Sequence, residues 1–174
     1  MALAPLTAAA MKVNELTKIF ESGKTEAQMP VLFLGHGSPM NAIEENQFVA
    51  GFRKLGNELE RPDAILCISA HWETRGTFIT AMQQPPTIHD FGGFPHELYE
   101  VQYPAPGHPV LAGETKNMIT KTEVGLDLNW GLDHGAWSVI KHLYPKADIP
   151  VIQMSIDFTQ PAAYHYELAQ QLKP

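Results

Sequence analysis

The chain has 174 residues, 44% hydrophobic and 18% charged, enough apolar material for one folded domain and too much for an intrinsically disordered chain. No run approaches the roughly 20 apolar residues of a membrane helix, and 12 Lys+Arg against 19 Asp+Glu give a formal charge of -7, which repels nucleic-acid phosphates. Neither a membrane nor a nucleic acid is therefore expected as a partner, and the single cysteine, Cys67, excludes an internal disulfide and fits a reducing, cytoplasmic setting.

In chain order, Met1–Ala10 lacks the basic start and apolar stretch of a secretory leader. Val13, Leu16, Ile19 and Phe20 have helical spacing and predict a short amphipathic helix over Lys12–Glu21. Residues 1–29 are thus an expected extension, and residues 30–174 the expected domain. Val31-Leu32-Phe33-Leu34 is a continuous apolar run stopped by Gly35-His36-Gly37-Ser38-Pro39. Such runs predict strands covered on both faces, as in a parallel sheet between helices. Phe48, Phe52, Leu55 and Leu59 predict a helix over Phe48–Leu59. Ala64–Ile68 predicts a second strand, stopped by Ser69-Ala70-His71-Trp72. Strand, helix and strand then form an expected right-handed crossover unit. A strand over Thr77–Met82, helices over His108–Lys121 and Gly135–Leu143, a strand over Ile149–Ile156 and a helix over Pro161–Leu172 follow. Pro161 near the first turn of the last helix costs little. The expected class is α/β, a mostly parallel sheet flanked by helices. The pattern calls for a further strand after Leu172, so the domain is expected to be truncated at its C-terminal side.

Eight histidines are about twice an ordinary share. Two of them, His36 and His71, close predicted strands, and ligands of open parallel sheets bind beyond the carboxyl ends of strands. If the two strands are neighbours, both imidazoles enter one crevice. Gly35 and Gly37 leave the backbone beside His36 open to a ligand. Ser38 lies outside any G-x-S-x-G motif and reads as a turn or cap residue. His89-Asp90-Phe91-Gly92-Gly93-Phe94-Pro95 sets polar groups among aromatic walls, which suits a planar ring or simply a packed loop. Asp133-His134-Gly135 precedes a predicted helix; either polar residue can cap it, or His134 can act as an acid–base or substrate-binding group. Trp72, Trp137 and Cys67 read as core.

Taken together, Gly35–Pro39, Ser69–Trp72, Pro86–Pro95 and Asp133–Trp137 resemble the class III (LigB-like) extradiol ring-cleavage dioxygenases, in particular the 4,5-DOPA dioxygenase extradiol group, from about Met29 onward. The resemblance implies that His36 and His71 are metal ligands and that His89, Asp90 and His134 surround the substrate, with His134 and His89 in catalytic roles. It implies Fe(II) as the working metal, with Zn(II) able to occupy the site, and a catechol such as L-DOPA with O2 as reactants. Imidazole suits both metals, but zinc has no redox chemistry of its own. The family pattern continues with a Gly-Asn-x-Val-His-Asn type motif and another histidine that have no counterpart here, so the chain resembles the N-terminal two-thirds of a member. Weak metal binding and impaired turnover are the corresponding expectations. Two other readings use the same histidines: a non-catalytic metal- or ligand-binding module, and a zinc hydrolase, for which no accompanying carboxylate motif is found.

Overall fold

The computed structural model describes residues 29–172, so the helix expected over Lys12–Glu21 lies outside the described residues. Four strands, β1 (Ile65–Thr74), β2 (Thr77–Thr80), β3 (Val124–Asp127) and β4 (Val151–Asp157), form one sheet in the order β1-β4-β2-β3. Five helices flank it: α1 (Gln47–Glu58), α2 (His96–Tyr99), α3 (Pro109–Met118), α4 (His134–Leu143) and α5 (Ala162–Gln170). The α/β class is as expected. The sheet is mixed, however: β1 with β4 and β2 with β3 run parallel, and a single antiparallel register, Ile79 opposite Met154, joins the two pairs.

β4 shows how the two faces are built. Its side chains alternate, as strand geometry demands: Val151 enters a cluster with Leu98, Leu132, Ala136, Trp137 and Ile140, whereas Ile152 and Met154 enter another with Ile79, Ala112, Ile119 and Leu168. Covered on both sides, the strand reads as an apolar run. α4 lies on the first face. Eight of its ten residues are buried, Trp137 completely, so it is a core helix rather than an amphipathic surface helix. α1 packs Phe52 against Val139 and Leu143 of α4. The Asn46 side chain starts α1 by accepting from the Phe48 and Val49 amides at 3.0 and 3.1 Å, which satisfies two of the donors a helix start leaves free. Phe48, expected on the apolar face, is instead 60% exposed, and Val49 is buried.

Two expectations are corrected. Val31–Leu34 is not a strand. Val31 and Phe33 are fully exposed, and only Leu34 packs, against the cluster of Phe52, Val139 and Leu143. A run of this kind becomes a strand when a neighbouring strand and two covering faces are present; among the described residues it has no neighbouring strand and cover on Leu34 alone, and the expected crossover unit does not form. β1 also continues past His71 to Thr74. Its pairing with β4 breaks between Ile68 and Glu73, five steps along β1 answering two along β4. The segment carrying His71 is therefore an irregularity within a strand, the kind of bulge that re-aims a side chain next to a site.

Candidate metal centre and aromatic loop

Three segments deliver one imidazole each to the same point. His36 comes from the loop ahead of the 3-10 turn Pro39–Ala42, His71 from the irregular part of β1, and His134 from the first turn of α4. One ligand atom from each lies within 4.8 Å of the other two. The Nε2 atoms of His36 and His71 are 2.9 Å apart, and the His71 and His134 rings are 4.0 Å apart at their centroids. His134 is buried and His71 is exposed, so the trio opens to solvent on the side of β1.

This donor set fits a divalent transition metal. Imidazole nitrogens about 2.1 Å from a tetrahedral ion lie about 3.4 Å from one another, a spacing that the observed separations bracket. His36 Nδ1 is buried without a hydrogen-bond partner. Burial holds the His36 pKa below its ordinary value, helped by the neighbouring His134 and His71, while Asp133 and Asp90 act in the opposite sense. A neutral imidazole keeps its lone pair for a metal.

Two carboxylates, one buried and one half-buried, set the geometry. Asp133, fully buried, caps α4 by accepting from the Ala136 amide at 3.1 Å. The same oxygen accepts from the Ser69 hydroxyl at 2.7 Å, which in turn accepts from the His71 amide at 3.2 Å. Its other oxygen accepts from Gln153 on β4. One side chain thus ties the strand bearing His71 to the helix bearing His134. Gly135 permits the close approach: a Cβ there would stand 2.5 Å from the His71 ring and 2.7 Å from Ser69 Oγ. Asp90 accepts from the His134 amide at 2.8 Å. The same Asp90 oxygen lies 2.9 Å from His134 Nδ1, too oblique for a hydrogen bond. Burial alone would raise the Asp90 pKa; the contacts with His134 outweigh it and hold it below the usual carboxylate range.

The loop carrying Asp90 is fixed to the same helix. Trp137 Nε1 donates to the Ile88 carbonyl at 2.7 Å, and the Ile88 amide donates to the Leu132 carbonyl at 2.7 Å. Phe91 meets the His134 ring edge-on at 5.5 Å and packs beside Phe94, Tyr99 and Trp137. His89 stands outside the imidazole trio. Its Nε2–H donates to the Val101 carbonyl at 3.0 Å, and its ring rests among Phe91, Tyr99 and Trp137.

The sequence reading placed His36, His71, His134, His89 and Asp90 around one site; the first three meet directly and Asp90 touches the third. The remaining motif residues have ordinary tasks. Ser38 Oγ accepts from the Met40 amide at 3.2 Å, as a capping residue should, and Trp72 and Trp137 are core. Burial pushes the Cys67 thiol up to about 12, which makes it unreactive. Sequence reasoning passed over Ser69 and Gln153 as partners of Asp133. Asp133-His134-Gly135 is the visible signal, but it says nothing about which strands the carboxylate reaches.

Residues 30–174 match the family described as the catalytic LigB subunit of aromatic ring-opening dioxygenase. The chain belongs to this family. It is 54% identical over 149 residues to the 4,5-DOPA dioxygenase extradiol of Escherichia coli (strain K12), covering 85% of this chain and 55% of that protein. It is 40% identical over 148 residues to the 4,5-DOPA dioxygenase extradiol of Beta vulgaris, covering 82% and 55%. A solved structure of an uncharacterized protein from Escherichia coli K12 superposes with a TM-score of 0.69 at 46% identity, over 83% of this chain and 54% of that one. The chain therefore spans about 55% of the length of these curated relatives and corresponds to their N-terminal part.

Proposed function

We propose that this chain supplies the metal-holding and ring-binding part of an extradiol dioxygenase that opens a catechol, such as L-DOPA, with O2. The observation that carries this reading is the convergence of His36, His71 and His134 on one point beside an aromatic loop. His36 and His71 hold the metal, with Fe(II) as the working ion and Zn(II) a competitor for the same nitrogens. A bound Fe(II) supplies the redox link between an electron-rich ring and dioxygen. His134, with Nδ1 against Asp90, keeps Nε2 for the site and takes a proton from a catechol hydroxyl as general base. Asp90 orients it. Phe91 provides a flat wall for the ring, and His89, its Nε2–H held by the Val101 carbonyl, backs that wall within the same substrate-binding loop as Asp90. The single cysteine of this chain fits a reducing, cytoplasmic setting; among the described residues no helix is long and apolar enough to cross a membrane.

The test is anaerobic loading with Fe(II), then L-DOPA and O2, in this chain and in one extended to its relatives' length. The extended chain should consume O2 and form a yellow ring-opened semialdehyde; this chain should bind metal and turn over little. His36→Ala and His71→Ala should each lose most bound metal with the fold retained, whereas His134→Ala in the extended chain should retain metal and lose turnover by about 100-fold or more. An extended chain that consumes no O2 with any catechol overturns the reading. A second reading, metal binding without turnover, is favoured for this chain alone by its spanning about 55% of its relatives.

A further inference from the structure

His36 is the ligand that regular structure supports least. It follows a segment with no strand partner, whose Val31 and Phe33 side chains are fully exposed. Something else must hold its backbone. Asn41, itself 8% exposed, donates from Nδ2 to the His36 carbonyl at 2.9 Å. Its Oδ1 accepts from Asn46 Nδ2 at 2.8 Å, and Asn46 is the cap of α1. The Asn41 carbonyl accepts from His142 Nε2 at 2.8 Å, and the next carbonyl, Ala42, accepts from Lys141 Nζ at 2.6 Å. Both donors stand in the last turn of α4. Gly37 completes the fit: it has φ +68°, and a Cβ there would lie 2.8 Å from Asn41 Nδ2.

We propose that Asn41 is a positioning residue for His36, gripped in turn by His142 at the far end of the helix that carries His134. Resting on the metal reading above, this makes α4 a strut about 15 Å long. Its N-terminus presents one imidazole of the trio. Its C-terminus fixes, through Asn41, the loop that presents another. Asn41 acts only through the His36 backbone and touches neither metal nor substrate. Its removal should loosen the donor set more than it loosens the fold, because the bond it makes to His36 ends in a segment that contributes little packing.

The experiment compares Asn41→Asp and Asn41→Ala with the parent chain and with Ile79→Val, a packing control in the other core cluster. Asn41→Asp preserves size while setting an acceptor against the His36 carbonyl. Zn(II) titrated calorimetrically should bind Asn41→Asp at least tenfold more weakly than the parent, while Ile79→Val stays within twofold. His142→Leu should weaken binding severalfold, and His142→Gln, which retains an N–H donor, should recover most of it. An independent readout needs no metal: NMR cross-relaxation between the His36 and His71 ring protons in the metal-free chain. That contact should be present in the parent and lost in Asn41→Asp. Its persistence in Asn41→Asp, or unchanged Zn(II) affinity there, overturns the proposal. A parent that binds no Zn(II) but loses the ring contact in Asn41→Asp sinks the metal reading and leaves the positioning role standing.

Discussion

α4 and Val31–Leu34 are both predominantly apolar by sequence, and the structure treats them oppositely. α4 buries eight of its ten residues and is bonded at both ends and along one side to other segments. Val31–Leu34 leaves Val31 and Phe33 in solvent and anchors only Leu34. An apolar run states a demand for cover; whether the demand is met depends on what the rest of the chain can bring. The imidazole trio sits on the seam between these two situations, His134 arriving from the fully packed side and His36 from the sparsely packed one. The site is therefore rigid on one flank by packing and on the other by hydrogen bonds.

Trp137→Ala breaks the comparison most severely. Trp137 is fully buried in the cluster that also holds Leu98, Leu132 and Val151, and its Nε1 is bonded to Ile88. Truncation removes a large buried aromatic and leaves a cavity, a loss of about 3–5 kcal/mol, and it frees the Ile88 carbonyl. Urea unfolding should show a midpoint far below the parent's or no folded baseline. A loss under about 1 kcal/mol would show that α4 is not the keystone of this face.

Much of this arrangement is legible in the sequence because it is local. The apolar periodicity of residues 135–143 and 149–156 marks α4 and β4, and the histidines at the ends of predicted elements, His36, His71 and His134, mark the site. Three features are not legible, each for a physical reason. β3, Val124-Gly125-Leu126-Asp127, is four residues long with a glycine inside, too short to show a period. β1 runs past His71 because Trp72 is buried while its neighbours Ala70, His71 and Glu73 are exposed, a reversal of the pattern seen over Ile65–Ile68. Val31–Leu34 has the composition of a central strand but lacks neighbours, which composition cannot report. Asp133 illustrates the same limit at the site: its role as an α4 cap is local and readable, whereas its bonds to Ser69 and Gln153 span 64 and 20 residues.

pH sharpens the contrast on the hydrogen-bonded flank. Burial holds the His142 pKa below its ordinary value of about 6.5; the Asn41 carbonyl acts against this, Lys141 and Arg53 add to the lowering, and Glu45 opposes it. A depressed histidine contributes no penalty above its unfolded pKa, where both states are neutral. As pH falls below about 6.5 the unfolded chain takes up a proton that the folded chain refuses, so stability drops until the folded pKa is passed. Urea midpoints measured from pH 7.5 to 5 should fall on acidification, and His142→Gln should fall less steeply over the same interval. Equal slopes in the two chains would remove His142 from the account.

The smallest effect belongs to Phe33. Its side chain is fully exposed, and Leu34 rather than Phe33 contacts the core. Phe33→Ser removes no buried area, so it should change the stability of this chain by no more than about 0.5 kcal/mol. That is a small fraction of the Trp137→Ala loss, although both changes delete an aromatic ring from an apolar stretch. The same substitution should reduce self-association, because it takes a large apolar group off an exposed segment. Sedimentation of the parent and variant over a range of concentrations reads this directly. A destabilisation above about 1.5 kcal/mol would mean that residues 31–34 are covered in solution, and the distinction between the two apolar stretches would disappear.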